Sequence, residues 1–331
     1  MPALRVIIAT ASPLARSRLA RDLAALPEID LCGSAADLSA IYMLAEQREP
    51  EIALIGRDML THPDFEGILS LFGMIGTACM EIATEPGAAA GDAAILPGMA
   101  PAALLARLRA VRAAATPRRL PAVPQPDSST ARAFRVDRVI LIGASTGGID
   151  ALLQILSALP ADCPPTAIVQ HTGAAFSDSL IRLFARCAKA RVLPAQDGIA
   201  LSPGTIVVGA GCRGHLHLHP GTPLQTRVLP GAAVSGHMPS VDMLFQSALP
   251  FAGRIVAALL TGMGRDGAQG LLDLRRAGAR TLAQDEASSV VYGMPRAAAD
   301  LGAAEQIVAL PQMAGAILSH CIEQRMEVAR K

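Results

Sequence analysis

Ser145 has the sequence setting of a catalytic nucleophile. It lies between glycines in the run 143–147, Gly-Ala-Ser-Thr-Gly, directly after the apolar run 139–142. This is the G-x-S-x-G pattern in the strand–turn–helix context that the pattern requires. The flanking glycines allow a sharp turn and leave the hydroxyl exposed at the carboxyl end of the strand. The spacing therefore predicts a serine that can attack an ester or amide once a base takes its proton.

His171 and Asp266 are the candidates for that base and for the acid that orients it. Both follow predicted strands, so all three side chains are expected at the carboxyl edge of one parallel sheet, where open α/β folds build their sites. Taken singly, a histidine at a strand end is usually a hydrogen-bonded surface residue, and Asp266 could cap a helix. Their convergence with Ser145 favours a triad. The chain order Ser, His, Asp excludes the usual α/β-hydrolase family, in which the acid precedes the histidine.

The glycine-rich turn also permits a second interpretation. A turn that opens a helix suits the phosphates of a dinucleotide, so residues 143–148 alone leave phosphate binding open. The turn departs from G-x-G-x-x-G, however, and the next strand ends in Val-Gln-His at 169–171 rather than in the acidic residue that would hold a ribose. These two departures favour a hydrolase over a dinucleotide-binding protein.

Four other histidines are weaker candidates. His237 precedes a helix start and is the main competitor of His171 as the base, or a residue on the substrate side. His215, His217 and His219 alternate and so share one face of a predicted strand, which could bind a metal. Because no carboxylate or cysteine stands nearby at ligand spacing, a solvated strand face is the favoured interpretation, and no metal site is expected.

Alternating strands and helices must position these residues. In the first half, apolar runs predict strands at 4–9, 29–33, 51–56, 78–83 and 92–96, with helices near 12–26, 37–48, 66–75 and 100–113. In the second half, strands are predicted at 137–143, 166–171, 205–209, 254–260, 280–284 and 306–309. The Gly- and Pro-rich segment 191–238 predicts a small antiparallel insertion in the second domain. The alternation predicts the α/β class with two doubly wound parallel-sheet domains.

A proline-rich segment separates the two halves. Residues 115–135 contain four prolines and the run Asp-Ser-Ser-Thr between apolar-patterned regions, which predicts an exposed linker. Domains are therefore expected at 1–114 and 136–331, and a chain of 331 residues is longer than one core usually supports.

The composition argues against polyanionic and membrane partners. A net charge of +1 without a block of like charges gives no sign of a basic surface that would bind nucleic acid or anionic lipid. Six separated cysteines form no CxxC pair, which speaks against a zinc or redox motif. The strand-like start at 4–9 differs from a signal peptide, and no run of about 18 apolar residues occurs. A cytoplasmic protein without direct membrane insertion is expected.

Five motifs in the second half closely resemble the catalytic domain of the protein-glutamate methylesterase/deamidases of bacterial chemotaxis, the CheB family. They occur in the family's order across roughly 137–312, at 142–148, 170–171, 239–242, 260–267 and 281–295. The resemblance implies hydrolysis of glutamyl methyl esters on methyl-accepting chemoreceptors, and often deamidation of receptor glutamines, without a metal or organic cofactor.

The resemblance also implies a role for particular residues. It assigns the nucleophile to Ser145, the base to His171 and the orienting acid to Asp266, in agreement with the interpretation from spacing. It places Thr146 and Met263 in the neighbourhood of the active site. Backbone amides near Thr146 and in the Met263-Gly264 loop are the expected oxyanion donors.

The same family carries an N-terminal receiver domain, whose strand–helix rhythm residues 1–113 share, but the receiver's acidic site is missing. Ala9 and Thr10 stand where receivers place an acidic pair after the first strand, and Gly56 stands at the phosphoacceptor position. Leu96 replaces the expected lysine. Without carboxylates there is neither a phosphoryl acceptor nor a hard-cation site. A pseudo-receiver is therefore predicted.

Two hypotheses follow for the whole chain. The first is an esterase, recruited to receptor arrays, whose activity does not respond to acetyl phosphate or a histidine kinase. The alternative is a signalling adaptor that uses residues 1–113 to bind other chemosensory array proteins. Asp58 and Asp64 lie near Gly56, but Asp58 falls beyond the strand end and is a weak candidate for a substitute acceptor.

Overall fold

The structure, a computed structural model, describes residues 3–62, 65–83, 95, 98–114, 134–135, 137–174 and 177–322. The chain forms two compact units, Met1–Leu120 and Pro121–Lys331. The boundary between them falls within the predicted linker, and residues 115–133 of that linker lie outside the described residues.

In the first unit, four parallel strands form one sheet in the order β2-β1-β3-β4. The strands are β1 (Leu4–Ala9), β2 (Ile29–Ala35), β3 (Ile52–Gly56) and β4 (Ala78–Ile82). The helices are α1 (Pro13–Ala24), α2 (Leu38–Arg48), α3 (Arg57–Leu60), α4 (Phe65–Ile75) and α5 (Pro101–Ala114). The short helix α3 was not predicted. Of the predicted fifth strand at 92–96, only Ile95 is described, and it bridges Ile82 in parallel.

In the second unit, seven parallel strands form a sheet in the order β13-β12-β11-β5-β6-β8-β7. Its strands are β5 (Val139–Ala144), β6 (Thr166–Gln170), β7 (Arg191–Pro194), β8 (Thr205–Ala210), β11 (Ile255–Leu259), β12 (Arg280–Gln284) and β13 (Gln306–Val308). The helices are α6 (Gly148–Ala158), α7 (Ser177–Cys187), α8 (Val241–Ser247), α9 (Ala268–Arg276), α10 (Met294–Asp300) and α11 (Leu310–Ser319). The predicted α/β class with two parallel sheets is confirmed.

The connectivity of the second sheet creates a crevice at its carboxyl edge. The chain passes from β5 to β6 on one side and later returns to β11 on the other side of β5. Loops that leave neighbouring strands in opposite directions separate, and ligands of open α/β sheets bind in the resulting crevice. Ser145 follows β5, His171 follows β6 and the loop 260–267 follows β11. The topology therefore gathers the predicted site residues at one edge.

The segment 191–238 differs from its prediction in two ways. Only β9 (His215–His219) and β10 (Gln225–Leu229) pair antiparallel, whereas β7 extends the parallel sheet beside β8. The predicted solvated histidine face of β9 is wrong for His215, whose side chain is buried at 2% exposure. Helix α8 packs on this strand, and the Ser247 hydroxyl accepts a hydrogen bond from the Leu218 amide at 2.9 Å. Among the described residues, no helix has the length and apolar character needed to cross a membrane.

Candidate active site

The backbone of Ser145 is held by hydrogen bonds from three directions. Its N–H donates to the Thr261 carbonyl at 3.0 Å, and its own carbonyl accepts from Gln170 Nε2 at 2.9 Å and from the Gly148 N–H at 2.8 Å. The Ser145 hydroxyl, by contrast, makes no hydrogen bond within the described ranges. The nucleophile candidate thus has a fixed backbone and a hydroxyl that is free to turn toward a base.

The turn after Ser145 requires glycine at its tightest point. Gly147 has φ = 78°, in the left-handed region, and a Cβ there would lie 2.4 Å from Cβ of Val290. A side chain at this position would be strained by the backbone and would also displace the loop that carries Val290. The G-x-S-x-G spacing therefore reflects a close approach of two loops as well as a sharp turn.

His171 lies beside Ser145 on the neighbouring strand. Ala144 and Gln170 are partners in the β5–β6 register, so the next residues, Ser145 and His171, leave adjacent strands side by side. Neighbouring strands are about 4.8 Å apart. The His171 N–H donates to the Ala144 carbonyl at 3.0 Å, which continues the ladder to the end of both strands.

Asp266 fixes the tautomer of His171. Nε2 of His171 lies 2.9 Å from Oδ2 of Asp266, and both side chains are buried, at 7% and 1% exposure. An ionised carboxylate only accepts hydrogen bonds, so Nε2 carries a proton, and in the neutral form of the ring Nδ1 holds the lone pair. Nδ1 is buried without a hydrogen-bond partner among the described residues. It is therefore the nitrogen available to take a proton from Ser145.

Four donors converge on the Asp266 carboxylate. Besides His171, the Ser240 hydroxyl and the Val241 N–H donate at 2.7 Å and the Asp242 N–H at 3.1 Å, all from the start of α8. Burial by itself raises the pKa of Asp266, but the hydrogen bonds from His171, Ser240 and Val241 outweigh it and hold the pKa below its ordinary value. The acid is thus held ionised in a buried position.

Asp242 places a second carboxyl group next to Asp266. Its Oδ1 accepts from the Gly270 N–H at 2.7 Å, which joins the start of α8 to the first turn of α9. Burial, followed by the charge of Asp266, raises the pKa of Asp242 above its ordinary value. The two carboxyl groups therefore have opposite pKa shifts, and Asp266 is the one that stays charged.

The expected oxyanion donors have free amides. The N–H groups of Thr146, Met263 and Gly264 donate no hydrogen bond in the part of the chain that the structure describes. Their loops are nevertheless tied together, because the Thr261 hydroxyl donates to the Thr146 carbonyl at 2.9 Å. Met263 is 67% exposed, so its side chain lies at the open side of the site. This arrangement provides donors for a developing negative charge.

His237, the predicted competitor of His171, stacks on it. The two ring centroids are 3.7 Å apart and the ring planes differ by 7°. The His237 side chain makes no hydrogen bond to Ser145 or Asp266 in the described portion. The structure thus gives the contact with Asp266 to His171 alone of these two histidines.

Several residues that hold the site had no predicted role. Gln170 bridges the carbonyls of Ser145 and His171, at 2.9 and 3.0 Å. Ser240 and Asp242 were predicted only as a helix start, although they stand in one of the five family motifs. No group of three or more metal-ligating side chains occurs in the described ranges.

In the first unit, the Asp58 carboxylate fills the space beside Gly56. Oδ2 accepts from the Ala11 N–H at 2.7 Å and Oδ1 from the Thr10 hydroxyl at 3.2 Å. A Cβ on Gly56 would lie only 2.2 Å from Asp58 Oδ1. Asp58 does lie beyond the strand end, in α3, yet its side chain reaches back to the expected acceptor position. Asp64 and Leu96 lie outside the described residues.

A doubly wound sheet that brings a serine, an imidazole and a buried carboxylate to one edge defines a hydrolase of the serine type. The family model described as CheB methylesterase matches residues 140–317, more than half of the chain. The chain belongs to the CheB methylesterase family, as its motifs predicted.

Individual relatives agree with this membership. A protein-glutamate methylesterase/protein-glutamine glutaminase of Caulobacter vibrioides is 36% identical over 96% of this chain and 98% of its own length. A second, from Pseudomonas aeruginosa, is 36% identical over 95% of each chain. The crystal structure of the Thermotoga maritima CheB methylesterase catalytic domain is similar at 27% identity and a TM-score of 0.53, over 55% of this chain and 98% of that one. Because the full-length relatives are named as enzymes, the adaptor alternative is not favoured.

Proposed function

We propose that this chain hydrolyses glutamyl methyl esters on methyl-accepting chemoreceptors, and deamidates receptor glutamines, with Ser145 as the nucleophile. The observation that carries the proposal is the 2.9 Å contact between His171 Nε2 and Asp266, because it leaves the buried Nδ1 of His171 without a partner among the described residues and able to serve Ser145, which ends the neighbouring strand. The names of the full-length relatives supply the substrate class. On this proposal the enzyme works where receptors cluster into arrays.

The reaction proceeds in two steps through an acyl-enzyme. Nδ1 of His171 takes the proton of Ser145 as the hydroxyl oxygen attacks the side-chain ester carbon, and Asp266 stabilises the imidazolium that forms. The imidazolium then returns the proton to the leaving methoxide, so methanol departs. A water molecule attacks the acyl-enzyme by the same route and releases the glutamate. With a glutamine substrate, ammonia leaves in place of methanol.

Negative charge on the carbonyl oxygen develops in both steps. The amides of Thr146, Met263 and Gly264 are the proposed donors, because they are free in the described structure and lie in the two loops that meet at Ser145. Removing one such donor in a serine hydrolase typically costs about 3 kcal/mol in activation free energy.

Methanol release from methylated receptor tests the proposal. Wild type is compared with Ser145→Ala and with Ser157→Ala, a control in α6 whose hydroxyl donates to the Gln154 carbonyl at 2.9 Å. We expect release by wild type and by the control, and none above background by Ser145→Ala. Equal release by Ser145→Ala and wild type would contradict the proposal.

We also propose that residues 1–114 are a pseudo-receiver joined by the linker 115–135 to a catalytic domain at 136–331. The support for this assignment is that Ala9, Thr10 and Gly56 replace the acidic residues of a receiver, and that the nearby Asp58 carboxylate is already bonded to Thr10 and Ala11. Addition of acetyl phosphate is therefore expected to leave methanol release unchanged. Phosphoryl transfer to the chain together with a change in rate would contradict this assignment.

A further inference from the structure

His237 contacts the proposed base over its whole ring face, although it has no place in the triad. The ring centroids of His171 and His237 are 3.7 Å apart and the planes are nearly parallel, at 7°. A stacked neighbour covers one face of an aromatic ring and resists tilting of that ring out of its plane. The stack therefore limits rotation of the His171 ring, which the bond to Asp266 alone does not prevent.

The rotation of the His171 imidazole occurs about its χ2 torsion. The χ2 torsion of histidine has a broad energy profile, so packing has to set it. The bond from Nε2 to Asp266 fixes one corner of the ring, whereas Nδ1 has no bond among the described residues. Without a neighbour on its face, the ring could pivot on the Asp266 contact and turn Nδ1 away from Ser145.

The loop that carries His237 is itself held firmly. His237 and Val234 exchange two backbone hydrogen bonds, at 2.9 and 3.0 Å. The buried His215 joins the two ends of this loop, since its Nδ1 accepts from the Ser240 N–H at 3.1 Å and its Nε2 donates to the Ala232 carbonyl at 2.9 Å. Because Nδ1 accepts, the proton of His215 must lie on Nε2. His215 thus holds the two ends of the segment that contains His237.

The stack is compatible with a charged intermediate. Burial, followed by the charge of His171, holds the pKa of His237 below its ordinary value, so His237 stays neutral at neutral pH. A neutral ring does not repel the imidazolium that forms on His171 during the reaction. The π face of a neutral aromatic ring also attracts a cation.

We propose that His237 is a positioning residue that holds the His171 ring flat, so that Nδ1 points at Ser145, and that His215 supports it through the loop. The inference rests on the proposed function, because it concerns the base of that reaction. It assigns His237 a role different from the competing base that the sequence allowed, since a ring stacked face to face presents no nitrogen to its partner.

The test compares His237→Ala, which removes the stack, with His237→Phe, which keeps a flat ring that cannot titrate. His219→Ala is the control, because His219 lies on the same strand as His215 and its ring Nδ1 contacts the neighbouring Pro220 carbonyl at 3.0 Å. Two rates are measured on the full chain: methanol release from methylated receptor, and labelling of Ser145 by a fluorophosphonate. Misplacing a catalytic group by about 1 Å can cost about 100-fold, so we expect His237→Ala to lose on the order of 100-fold in kcat with little change in KM.

His237→Phe should recover most of that loss, and labelling should follow kcat in every variant. Wild-type rates in His237→Ala would overturn the inference, and so would a folded His237→Phe as slow as His237→Ala. Should His237→Ala fail to fold, His237→Leu replaces it, and equal rates for the Leu and Phe variants would count against a stacking role. Ser145→Ala separates the two claims: if it keeps wild-type activity, the proposed function fails, whatever the His237 variants do.

Discussion

Oδ2 of Asp266 lies 2.9 Å from Nε2 of His171, and not from Nδ1. In the familiar serine protease triad the aspartate binds Nδ1–H and the serine faces Nε2. Here the two ring nitrogens exchange roles, because His171 leaves β6 beside Ser145 while Asp266 precedes α9 and is bonded to the start of α8. The chemistry requires only one protonated and one free nitrogen, which either arrangement supplies.

Replacing Asp266 with asparagine tests the charge of the acid. Asp266→Asn keeps an oxygen that can accept from Nε2 but removes the charge that stabilises the imidazolium. We expect kcat for methanol release to fall by about 10³- to 10⁴-fold, as in other triads. Asp273→Asn, on α9 and bonded to Gln269, is the matched control and should keep wild-type kcat. An Asp266→Asn enzyme within tenfold of wild type, on the order of 1 kcal/mol, would mean that the charge is not used.

Asp242→Asn should stabilise the chain in a pH-dependent way. Because burial and Asp266 raise the pKa of Asp242, the folded chain holds a proton there that the unfolded chain has lost. Stability therefore falls as pH rises from about 4, the ordinary value, through the raised folded pKa. Asparagine cannot ionise and still offers an oxygen to the Gly270 N–H. In thermal denaturation, the Tm of Asp242→Asn minus that of wild type should grow across this window and then level off; a difference that does not vary with pH would contradict the account.

Gln170→Leu should destabilise the backbone of the site while leaving the three triad side chains in the sequence. The amide of Gln170 donates to the carbonyls of Ser145 and His171, and leucine would leave both acceptors without this donor. Such losses cost about 1–3 kcal/mol, which urea denaturation can measure. Gln269→Leu, at an exposed position on α9, is the control and should stay within about 0.5 kcal/mol of wild type. No difference between the two variants would show that the bridge is dispensable.

Gly56→Asp should not restore a phosphorylation site. A Cβ at this position lies 2.2 Å from Asp58 Oδ1 and 2.7 Å from Cβ of Thr10, so the new side chain collides with both. We expect a lower Tm than wild type and no phosphoryl uptake from acetyl phosphate. Gly56→Asp combined with Asp58→Ala should regain part of the lost Tm, because one of the two collisions is removed. If the Tm of Gly56→Asp equals that of wild type, the Asp58 side chain moves easily out of the space beside residue 56.

The gathering of the three site residues at one edge was predictable from the sequence. Ser145, His171 and Asp266 each follow a continuous apolar run, such runs form buried parallel strands, and parallel strands end at the same edge. Each apolar run can be recognised from the local sequence alone. The register that places Ala144 opposite Gln170 then brings Ser145 and His171 side by side.

The contacts that orient the site were not predictable in the same way. That Asp266 binds the start of α8, more than twenty residues earlier, depends on how two helices pack, and no local pattern encodes it. The same holds for Asp58, whose side chain turns back from α3 toward Thr10. β7 escaped prediction because a four-residue strand at a sheet edge leaves little periodic signal.

The hydroxyl of Ser145 is the proposed nucleophile and Nδ1 of His171 its proposed base. The decisive experiment is mass spectrometry of the peptide containing residue 145 after reaction of the whole chain with a fluorophosphonate. We expect one adduct on Ser145 in wild type, a greatly slowed adduct in His171→Ala and none in Ser145→Ala. An adduct on another residue that inactivates the enzyme, with Ser145 unmodified, would rule out these two roles.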